Sequence, residues 1–221
     1  MEKVVKLIEN ICTLQGEGPS TGRRMLLLRF KKCNRFCKWC DTLVKMRVTM
    51  ESEYKLSDIQ NVLDEQKCSL MISGGEPTFD TNFQSTITLL NSLKYDQSAN
   101  VETNGFNLIN LIKEVNPDKN VKYIYSPKIF NKDDYQSEML KTNELINIDN
   151  VYFKIVISPN DDLVRKFLYF LSKQNVNHRV YLMPEGTTRE KLIENSGIVF
   201  DYCEEFKFNF SSRSHIIYNF I

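Results

Sequence analysis

The chain has 221 residues, which is long enough for one domain with a single large hydrophobic core. Hydrophobic residues make up 42% of the sequence, and 14 Phe and 10 Tyr supply large side chains for packing, which excludes a disordered chain. The 29 basic and 28 acidic residues nearly cancel, and a formal charge of +1 gives no general attraction to nucleic acid or to an anionic membrane.

The sequence shows no targeting or membrane-spanning pattern. Residues 1–7 carry too many charges for a secretory signal, and no apolar stretch approaches the ~20 residues that cross a bilayer. The six cysteines are not spaced as a disulfide framework, which indicates a reducing compartment. We therefore predict a cytoplasmic protein that forms one domain over residues 1–221 and binds neither nucleic acid nor a membrane.

Predicted strands and helices alternate along the chain. In chain order, the pattern predicts strands at 4–11 and 25–30, a helix at 58–66, a strand at 70–72, a helix at 83–93, a strand at 100–102, a helix at 108–114, strands at 122–125 and 151–157, a helix at 161–174, a strand at 179–182, a short helix at 187–194 and a strand at 205–210. Such alternation is typical of β-α units and a mostly parallel sheet. About six units fit, fewer than the eight of a closed barrel, so the predicted fold is an α/β fold of the partial, open (β/α)6-type barrel kind.

Three cysteines, Cys33, Cys37 and Cys40, follow the second predicted strand at spacings of four and three. Three thiolates at this spacing can hold three corners of a [4Fe–4S] cluster and leave the fourth iron without a protein ligand. Such an iron can bind and activate a small molecule. The alternative is zinc, which usually takes four ligands grouped in pairs, or plain buried thiols. No second pair is nearby, and the two histidines, His178 and His215, are distant in sequence.

The remaining cysteines, Cys12, Cys68 and Cys203, are scattered singly along the chain. We interpret them as buried small hydrophobic side chains.

Polar and glycine-rich segments follow three of the predicted strands: Ser73–Pro77, Glu102–Gly105 and Ser126–Lys128. Ligand sites in parallel α/β folds lie at the carboxyl ends of strands, so these segments are candidates for a common site. Gly74 and Gly75 would let the backbone approach a ligand, and Glu76 can accept hydrogen bonds from an ammonium group. The alternative for this segment is an ordinary turn.

The cysteine motif, with Trp39 before its last cysteine, and the run Ser73-Gly-Gly-Glu-Pro77 resemble the radical S-adenosylmethionine superfamily. The resemblance implies that the open iron chelates the amine and carboxylate of S-adenosylmethionine. A reduced cluster would then cleave this cofactor to methionine and a 5′-deoxyadenosyl radical. The cofactor-binding residues that the resemblance implies are Ser73, Gly74, Gly75, Glu76, Glu102, Ser126 and Lys128. For Lys128 the alternative is a solvated surface lysine.

Further motifs resemble one family of that superfamily, the 7-carboxy-7-deazaguanine synthases. The most specific is Leu14-Gln-Gly-Glu-Gly-Pro19 joined to Cys40-Asp-Thr42, and the other matches are Thr21–Arg23, Leu28–Phe30, Val101–Gly105, Ser126–Lys128, Phe153–Val156, Met183–Gly186 and Ser212–His215. They occur in family order over nearly the whole chain. The resemblance implies conversion of 6-carboxy-5,6,7,8-tetrahydropterin to 7-carboxy-7-deazaguanine with loss of ammonia, on the route to queuosine and other deazapurines, with Mg²⁺ as a further cofactor.

The resemblance also implies a substrate site. Arg29 would bind the pterin carboxylate through two hydrogen bonds, and its alternative is an arginine in a surface ion pair. Gln15 and Glu17 would bind the pterin edge, and their alternative is a glycine-rich turn with solvated side chains. The predicted substrate-binding residues are Leu14, Gln15, Gly16, Glu17, Arg29, His215 and Ile221, the last through its terminal carboxylate, and the predicted catalytic residues are Arg29 and Glu17. Thr42 matches the Mg²⁺ position, and Asp41 would orient its loop.

The partners expected from the resemblance are a pterin substrate, a flavodoxin- or ferredoxin-type electron donor and a second copy of the chain in a homodimer. Two other functions stay open at this point. One is an activase that makes a glycyl radical on a partner protein such as anaerobic ribonucleotide reductase. The other is a non-catalytic metal-binding module.

Overall fold

The structure is a computed structural model that describes residues 2–37, 40, 42–159 and 161–220, with the backbone alone at positions 44 and 45. Three positions singled out in the sequence, Trp39, Asp41 and Ile221, lie outside the described residues. The chain divides into two compact units, formed by residues 1–14 with 23–123 and by residues 15–22 with 124–221. The single domain over residues 1–221 stays a prediction.

The first unit is an α/β layer built on parallel strands. Its strands are β1 (Val4–Leu7), β2 (Glu9–Leu14), β3 (Arg24–Phe30), β4 (Ser52–Lys55), β5 (Ser69–Gly74) and β6 (Ser98–Thr103), and its helices are α1 (Leu43–Val48), α2 (Leu56–Gln66), α3 (Thr81–Ser92) and α4 (Leu108–Glu114). Strands β3, β5 and β6 are parallel neighbours, β2 pairs antiparallel with β3, and β1 and β4 form a separate antiparallel pair. A further strand, β7 (Asn120–Tyr125), contains the boundary between the units.

The core of the first unit is organised by β3, whose residues from Met25 to Leu28 are each at most 2% exposed. A run that is apolar on both faces is typical of a parallel strand covered on both sides. Because side chains alternate along a strand, Arg29 lies on the same face as Met25 and Leu27. The strand register places Arg29 beside Glu9 of β2 and Ser73 of β5, at the carboxyl end of the parallel strands.

The second unit continues the alternation. Its elements are α5 (Lys132–Leu145), β8 (Val151–Ile157), α6 (Asp162–Ser172), β9 (Val180–Pro184), α7 (Arg189–Phe206), β10 (Asn209–Phe210) and α8 (Ser214–Tyr218), with a short 3-10 helix at Gly18–Ser20 and another at Asn177–Arg179. Strand β9 pairs in parallel with both β8 and β10. Three helices start at side chains that accept backbone N–H groups: Asn131 before α5, Asp161 before α6 and Thr188 before α7.

Most predicted elements are confirmed within one or two residues, and the differences have local causes. The predicted strand over 4–11 divides at Ile8 into β1 and β2. The predicted helix 187–194 extends to Phe206, because Val199, Cys203 and Phe206 continue its buried face at helical spacing. The strand predicted over 205–210 is therefore wrong for its first four residues and starts only at Asn209.

The sequence pattern did not predict several of the helices and strands. Helix α5 has no apolar stripe, since its buried residues are Glu138, Thr142 and Leu145. Helices α1 and α8 and strand β4 are six residues or fewer, too short for a periodic signal.

The three isolated cysteines do not all lie in the core. Cys68 and Cys203 are buried as expected, whereas Cys12 is exposed on β2, so the prediction is wrong for Cys12. None of the helices in the described part of the chain is long and apolar enough to cross a bilayer.

Candidate active site

The three clustered cysteines lie in the loop between β3 and α1. Cys33, Cys37 and Cys40 form no disulfide and have intermediate exposure. The backbone N–H of Arg35 donates to Sγ of Cys33 at 3.4 Å, and that of Cys40 donates to the carbonyl oxygen of Cys37 at 3.2 Å. Burial raises the pKa of the Cys33 thiol, so a metal that binds there must displace its proton.

Two glycines at the end of β5, Gly74 and Gly75, let this loop approach the chain that leads into Cys33. The backbone N–H of Gly75 donates to the carbonyl oxygen of Phe30, and that of Glu76 donates to the carbonyl oxygen of Lys32, both at 2.8 Å. A Cβ on Gly75 would lie 1.9 Å from the Lys32 carbonyl oxygen, far inside van der Waals contact. A Cβ on Gly74, whose φ is +113°, would lie 2.3 Å from the Phe30 carbonyl oxygen.

Glu76 is 1% exposed and links the ends of β5 and β6. Its Oε1 accepts from the backbone N–H of Thr78 at 3.0 Å and from the hydroxyls of Thr78 and Thr103, each at 2.6 Å. Its Oε2 accepts from the backbone N–H of Asn104 at 2.6 Å. Burial raises the pKa of the Glu76 carboxyl, and these hydrogen bonds offset only part of that effect. The carboxylate therefore organises two loops, and its contact with an ammonium group stays a prediction.

Asn34 and Asn104 connect this carboxylate to the cysteine loop. Nδ2 of Asn104 donates to Oδ1 of Asn34 at 2.9 Å, one residue after Cys33. These hydrogen bonds join residues of the ranges 30–34, 75–78 and 103–104 into one set, which we call the cysteine-loop network. Neither asparagine was predicted as a site residue, although Asn104 stands inside the motif Val101–Gly105 and Asn34 inside the cysteine motif.

The cysteine loop supplies three thiols for a metal cluster. Cys33, Cys37 and Cys40 lie in one loop, whose start is fixed by the glycine contacts. In a [4Fe–4S] cluster each of three thiolates can bind a different iron and leave the fourth iron open, so this ligand set suits the predicted cluster. Among the described residues, no group of three His, Cys, Asp or Glu side chains is arranged to hold one metal ion.

Arg29 is paired, but not at the surface. Its Nε donates to Oε2 of Glu9 at 2.6 Å, and the two side chains are 18% and 11% exposed. Its Nη1 donates to the hydroxyl of Thr42 at 3.1 Å. The structure thus brings the predicted substrate arginine and the predicted Mg²⁺ ligand together. The sequence did not indicate Glu9, because its position opposite Arg29 follows only from the register of the β2–β3 pair.

In the second unit, a buried ionic cluster surrounds Glu17. Nζ of Lys154 donates to its Oε2 at 2.6 Å and Nε of Arg213 to its Oε1 at 2.8 Å, while Nε2 of His215 lies 3.9 Å from Oε1. Burial alone would raise the pKa of the Glu17 carboxyl, but the charges of Lys154, Arg213 and His215 outweigh it and hold that pKa well below its usual range. Lys154 and Arg213 stand in motifs noted in the sequence, yet neither was selected as a site residue.

The predicted pterin loop is joined to the segment before α8. The carbonyl oxygen of Gly16 accepts from the backbone N–H of Ser214 at 2.9 Å, and the hydroxyl of Ser211 accepts from the backbone N–H of Gly18 at 2.7 Å. A Cβ on Gly16 would lie 2.1 Å from Nδ1 of His215, so the ring packs on bare backbone. Gln15 is 4% exposed, and the alternative of a turn with solvated side chains is therefore wrong.

Two other predicted residues meet after β7. Nζ of Lys128 donates to the hydroxyl of Ser126 at 2.6 Å, and Ser126 is 7% exposed. Lys128 has intermediate exposure and is not a fully solvated lysine. Glu102 lies on β6 with intermediate exposure.

Comparison with known proteins gives a consistent result. Residues 14–147 match the family model described as a 4Fe-4S single cluster domain. The 7-carboxy-7-deazaguanine synthase of Thermoplasma acidophilum is 30% identical over 161 residues, which cover 68% of this chain and 69% of that protein. That of Hyperthermus butylicus is 24% identical over 228 residues, covering 98% and 94%. The crystal structure of QueE from Escherichia coli, at 20% identity, matches with a TM-score of 0.61 over 96% of this chain and 95% of that one.

The mostly parallel α/β fold and the match over residues 14–147 define a protein of the class that carries a single [4Fe–4S] cluster. The fold class predicted from the sequence is confirmed by the structural likeness. Within that class, the chain belongs to the family of 7-carboxy-7-deazaguanine synthases. The alternatives of a glycyl-radical activase and of a non-catalytic module are not favoured by these matches.

Proposed function

We propose that this protein is a radical S-adenosylmethionine enzyme that converts 6-carboxy-5,6,7,8-tetrahydropterin to 7-carboxy-7-deazaguanine with loss of ammonia. Family membership supports the reaction, and the cysteine-loop network is the observation that carries it to this chain. When bound, the cluster and S-adenosylmethionine would together supply the 5′-deoxyadenosyl radical. The roles assigned to single residues are part of the proposal.

The first group of residues holds the cofactors. Cys33, Cys37 and Cys40 would ligate three irons. The glycine backbone after β5 leaves carbonyl and N–H groups uncovered by side chains, which suits the amine of the cofactor. The cationic Lys128 suits its carboxylate, and the full set that we assign to S-adenosylmethionine is Ser73, Gly74, Gly75, Glu76, Glu102, Ser126 and Lys128.

The second group binds the pterin. Arg29 has five N–H donors, and among the described contacts Glu9 and Thr42 use two of them, so donors remain for a substrate carboxylate. The side-chain amide of Gln15 has the donor and acceptor character that suits a guanidine-like ring edge, and its oxygen also accepts from the backbone N–H of Glu17 at 3.2 Å. The residues that we assign to the pterin are Leu14, Gln15, Gly16, Arg29, His215 and Ile221. Glu17, which the sequence predicted as a substrate-binding and catalytic residue, is paired with Lys154 and Arg213, and we assign it to the shape of this loop.

We assign Mg²⁺ to Thr42. A hydroxyl oxygen suits this hard cation, which keeps several waters and takes other ligands from the substrate. The Thr42 hydroxyl accepts from Nη1 of Arg29, which places the assigned Mg²⁺ position beside the arginine assigned to the pterin carboxylate. Glu9 pairs with Nε of Arg29, whose Nη1 donates to Thr42, so a carboxyl group accompanies this arginine.

The reaction needs partners as well as residues. A flavodoxin- or ferredoxin-type protein would supply the electron that reduces the cluster. We also assign the protein to the cytoplasm, where free thiols persist, and to a homodimer as its assembly.

Anaerobic turnover with a cysteine variant tests this function. Wild type, Cys37→Ala and Cys12→Ala are reconstituted with iron and sulfide. Each is incubated with dithionite, S-adenosylmethionine, Mg²⁺ and the carboxylated pterin, and products are identified by mass spectrometry. We expect wild type and Cys12→Ala to form 7-carboxy-7-deazaguanine and Cys37→Ala to form none, because Cys37 is assigned to the cluster and Cys12 is not. Formation of 5′-deoxyadenosine by wild type with the pterin unchanged would contradict the proposed substrate.

A further inference from the structure

Both carboxylate oxygens of Glu17 are engaged inside the protein. Oε2 accepts from Lys154 and Oε1 from Arg213, and the side chains are 13% exposed for Glu17 and 8% for each cation. The two cations come from different places in the fold: Lys154 from the middle of strand β8 and Arg213 from the residue before helix α8. A carboxylate held in this way is poorly placed to accept hydrogen bonds from a substrate.

Arg213 also binds a third segment. Its Nη1 donates to the carbonyl oxygen of Gly186 at 2.7 Å, just after β9, while its Nε donates to Glu17. One planar guanidinium therefore fixes the Glu17 loop against two other segments at a defined angle. A lysine at this position would keep the charge, but its ammonium cannot reproduce the fork that reaches both partners.

The groups assigned to the pterin depend on Glu17 for their positions. The backbone N–H of Glu17 donates to the side-chain oxygen of Gln15 at 3.2 Å, and the preceding Gly16 lies against the ring of His215. The Gly16 carbonyl oxygen accepts from Ser214, next to Arg213. A shift of Glu17 would therefore move Gln15 and His215 together.

We propose that Lys154 and Arg213 are positioning residues for pterin recognition that act through Glu17. The Glu17 carboxylate is their internal counter-ion, and it sets the Gln15–Gly16 backbone and the His215 ring without touching the pterin. This inference takes the identity of the ligand, the pterin, from the proposed function. The physical effect, which is the fixing of residues 15–22, does not depend on that identity.

The test compares Arg213→Lys, Glu17→Gln and the double variant with wild type. The matched control is Arg165→Lys, which alters an exposed ion pair with Glu205 in the same unit. We expect each of the first two variants to raise KM for the pterin about tenfold to a hundredfold, with a smaller change in kcat, since displacement of a binding group weakens recognition. If Arg213 acts through Glu17, the double variant is no worse than the more affected single variant. Additive effects would overturn the proposal.

Hydrogen exchange, measured by mass spectrometry on the same proteins, tests the positioning role without catalytic turnover. Arg213→Lys is expected to speed exchange of the amides in residues 15–22, and Arg165→Lys is expected to leave them as in wild type. Unchanged exchange in Arg213→Lys would overturn the positioning role even if wild type turns over the pterin. Faster exchange without any pterin turnover by wild type would support the positioning role and contradict the proposed substrate.

Lys154→Met covers the case in which Arg213→Lys does not fold. Methionine keeps most of the length of the lysine chain and removes its charge, leaving Glu17 with Arg213. A positioning role predicts a raised KM and faster exchange of residues 15–22. A Glu17 that touched the pterin directly would be freed by this change, so tighter pterin binding would overturn the inference.

Discussion

At the scale of single residues, the two glutamates in glycine-rich loops have opposite environments. Glu76 is surrounded by neutral donors, and burial raises its pKa. Glu17 is bonded to two cations, which hold its pKa low. Both carboxylates were predicted as site residues because each stands in a sequence motif. The groups that surround each carboxylate could not be predicted from the motif. The partners of Glu17 lie 137 and 196 residues away along the chain.

The hydrogen bonds of Glu76 make a sharp prediction for Glu76→Gln. An amide fits the same space, but its NH₂ group must face either the Asn104 N–H or the donors of Thr78 and Thr103. We expect the free energy of unfolding to fall by ~1–3 kcal/mol, the usual cost of an unmet buried donor. Urea unfolding measures it, with the exposed Glu65→Gln as control. Equal stability of Glu76→Gln and wild type would show that the network does not depend on the carboxylate.

At the scale of elements, the strands and helices with a clear local pattern were predicted well from the sequence. The candidate segments lie after the carboxyl ends of β3, β5 and β6, as parallel β-α units require. Helix α5 and the full length of α7 could not be predicted, since α5 buries Glu138 and Thr142 in place of an apolar stripe. Glu9 was missed for a related reason, because its role depends on the register of β2 against β3.

Gly75→Ala tests the contact between the loop after β5 and the cysteine loop. The added Cβ would lie 1.9 Å from the Lys32 carbonyl oxygen, so the backbone next to Cys33 must shift. We expect a loss of ~1–3 kcal/mol in the free energy of unfolding, as for overpacked sites, and a lower yield of reconstituted cluster.

Gly197→Ala is the matched control for that variant. Gly197 lies in helix α7, and apart from its chain neighbours and the backbone of its own helix nothing lies within 4 Å of an added Cβ. Alanine there should raise the free energy of unfolding by ~0.5–1 kcal/mol, since glycine disfavours helix interiors. Urea unfolding and the iron content after reconstitution check both variants. An unchanged stability in Gly75→Ala would contradict the close approach of the two loops.

At the scale of the whole molecule, each compact unit contains one of the two candidate groups. The cysteine-loop network lies in the first unit and the Glu17 cluster in the second. The class and family were accessible from the sequence, because the motifs for cluster and substrate occur in family order over most of the chain. Lys154 and Arg213 were not accessible in the same way, since a lysine in a strand and an arginine in a loop have no local signature of burial.

The central claim is that Cys33, Cys37 and Cys40 hold a [4Fe–4S] cluster whose fourth iron is open to S-adenosylmethionine. Electron paramagnetic resonance of the reduced, anaerobically reconstituted protein, recorded with and without S-adenosylmethionine, tests it most directly. We expect about four irons and four sulfides per chain and a spectrum that changes when S-adenosylmethionine binds the open iron. A bound zinc ion, or a cluster spectrum that S-adenosylmethionine leaves unchanged, would contradict it.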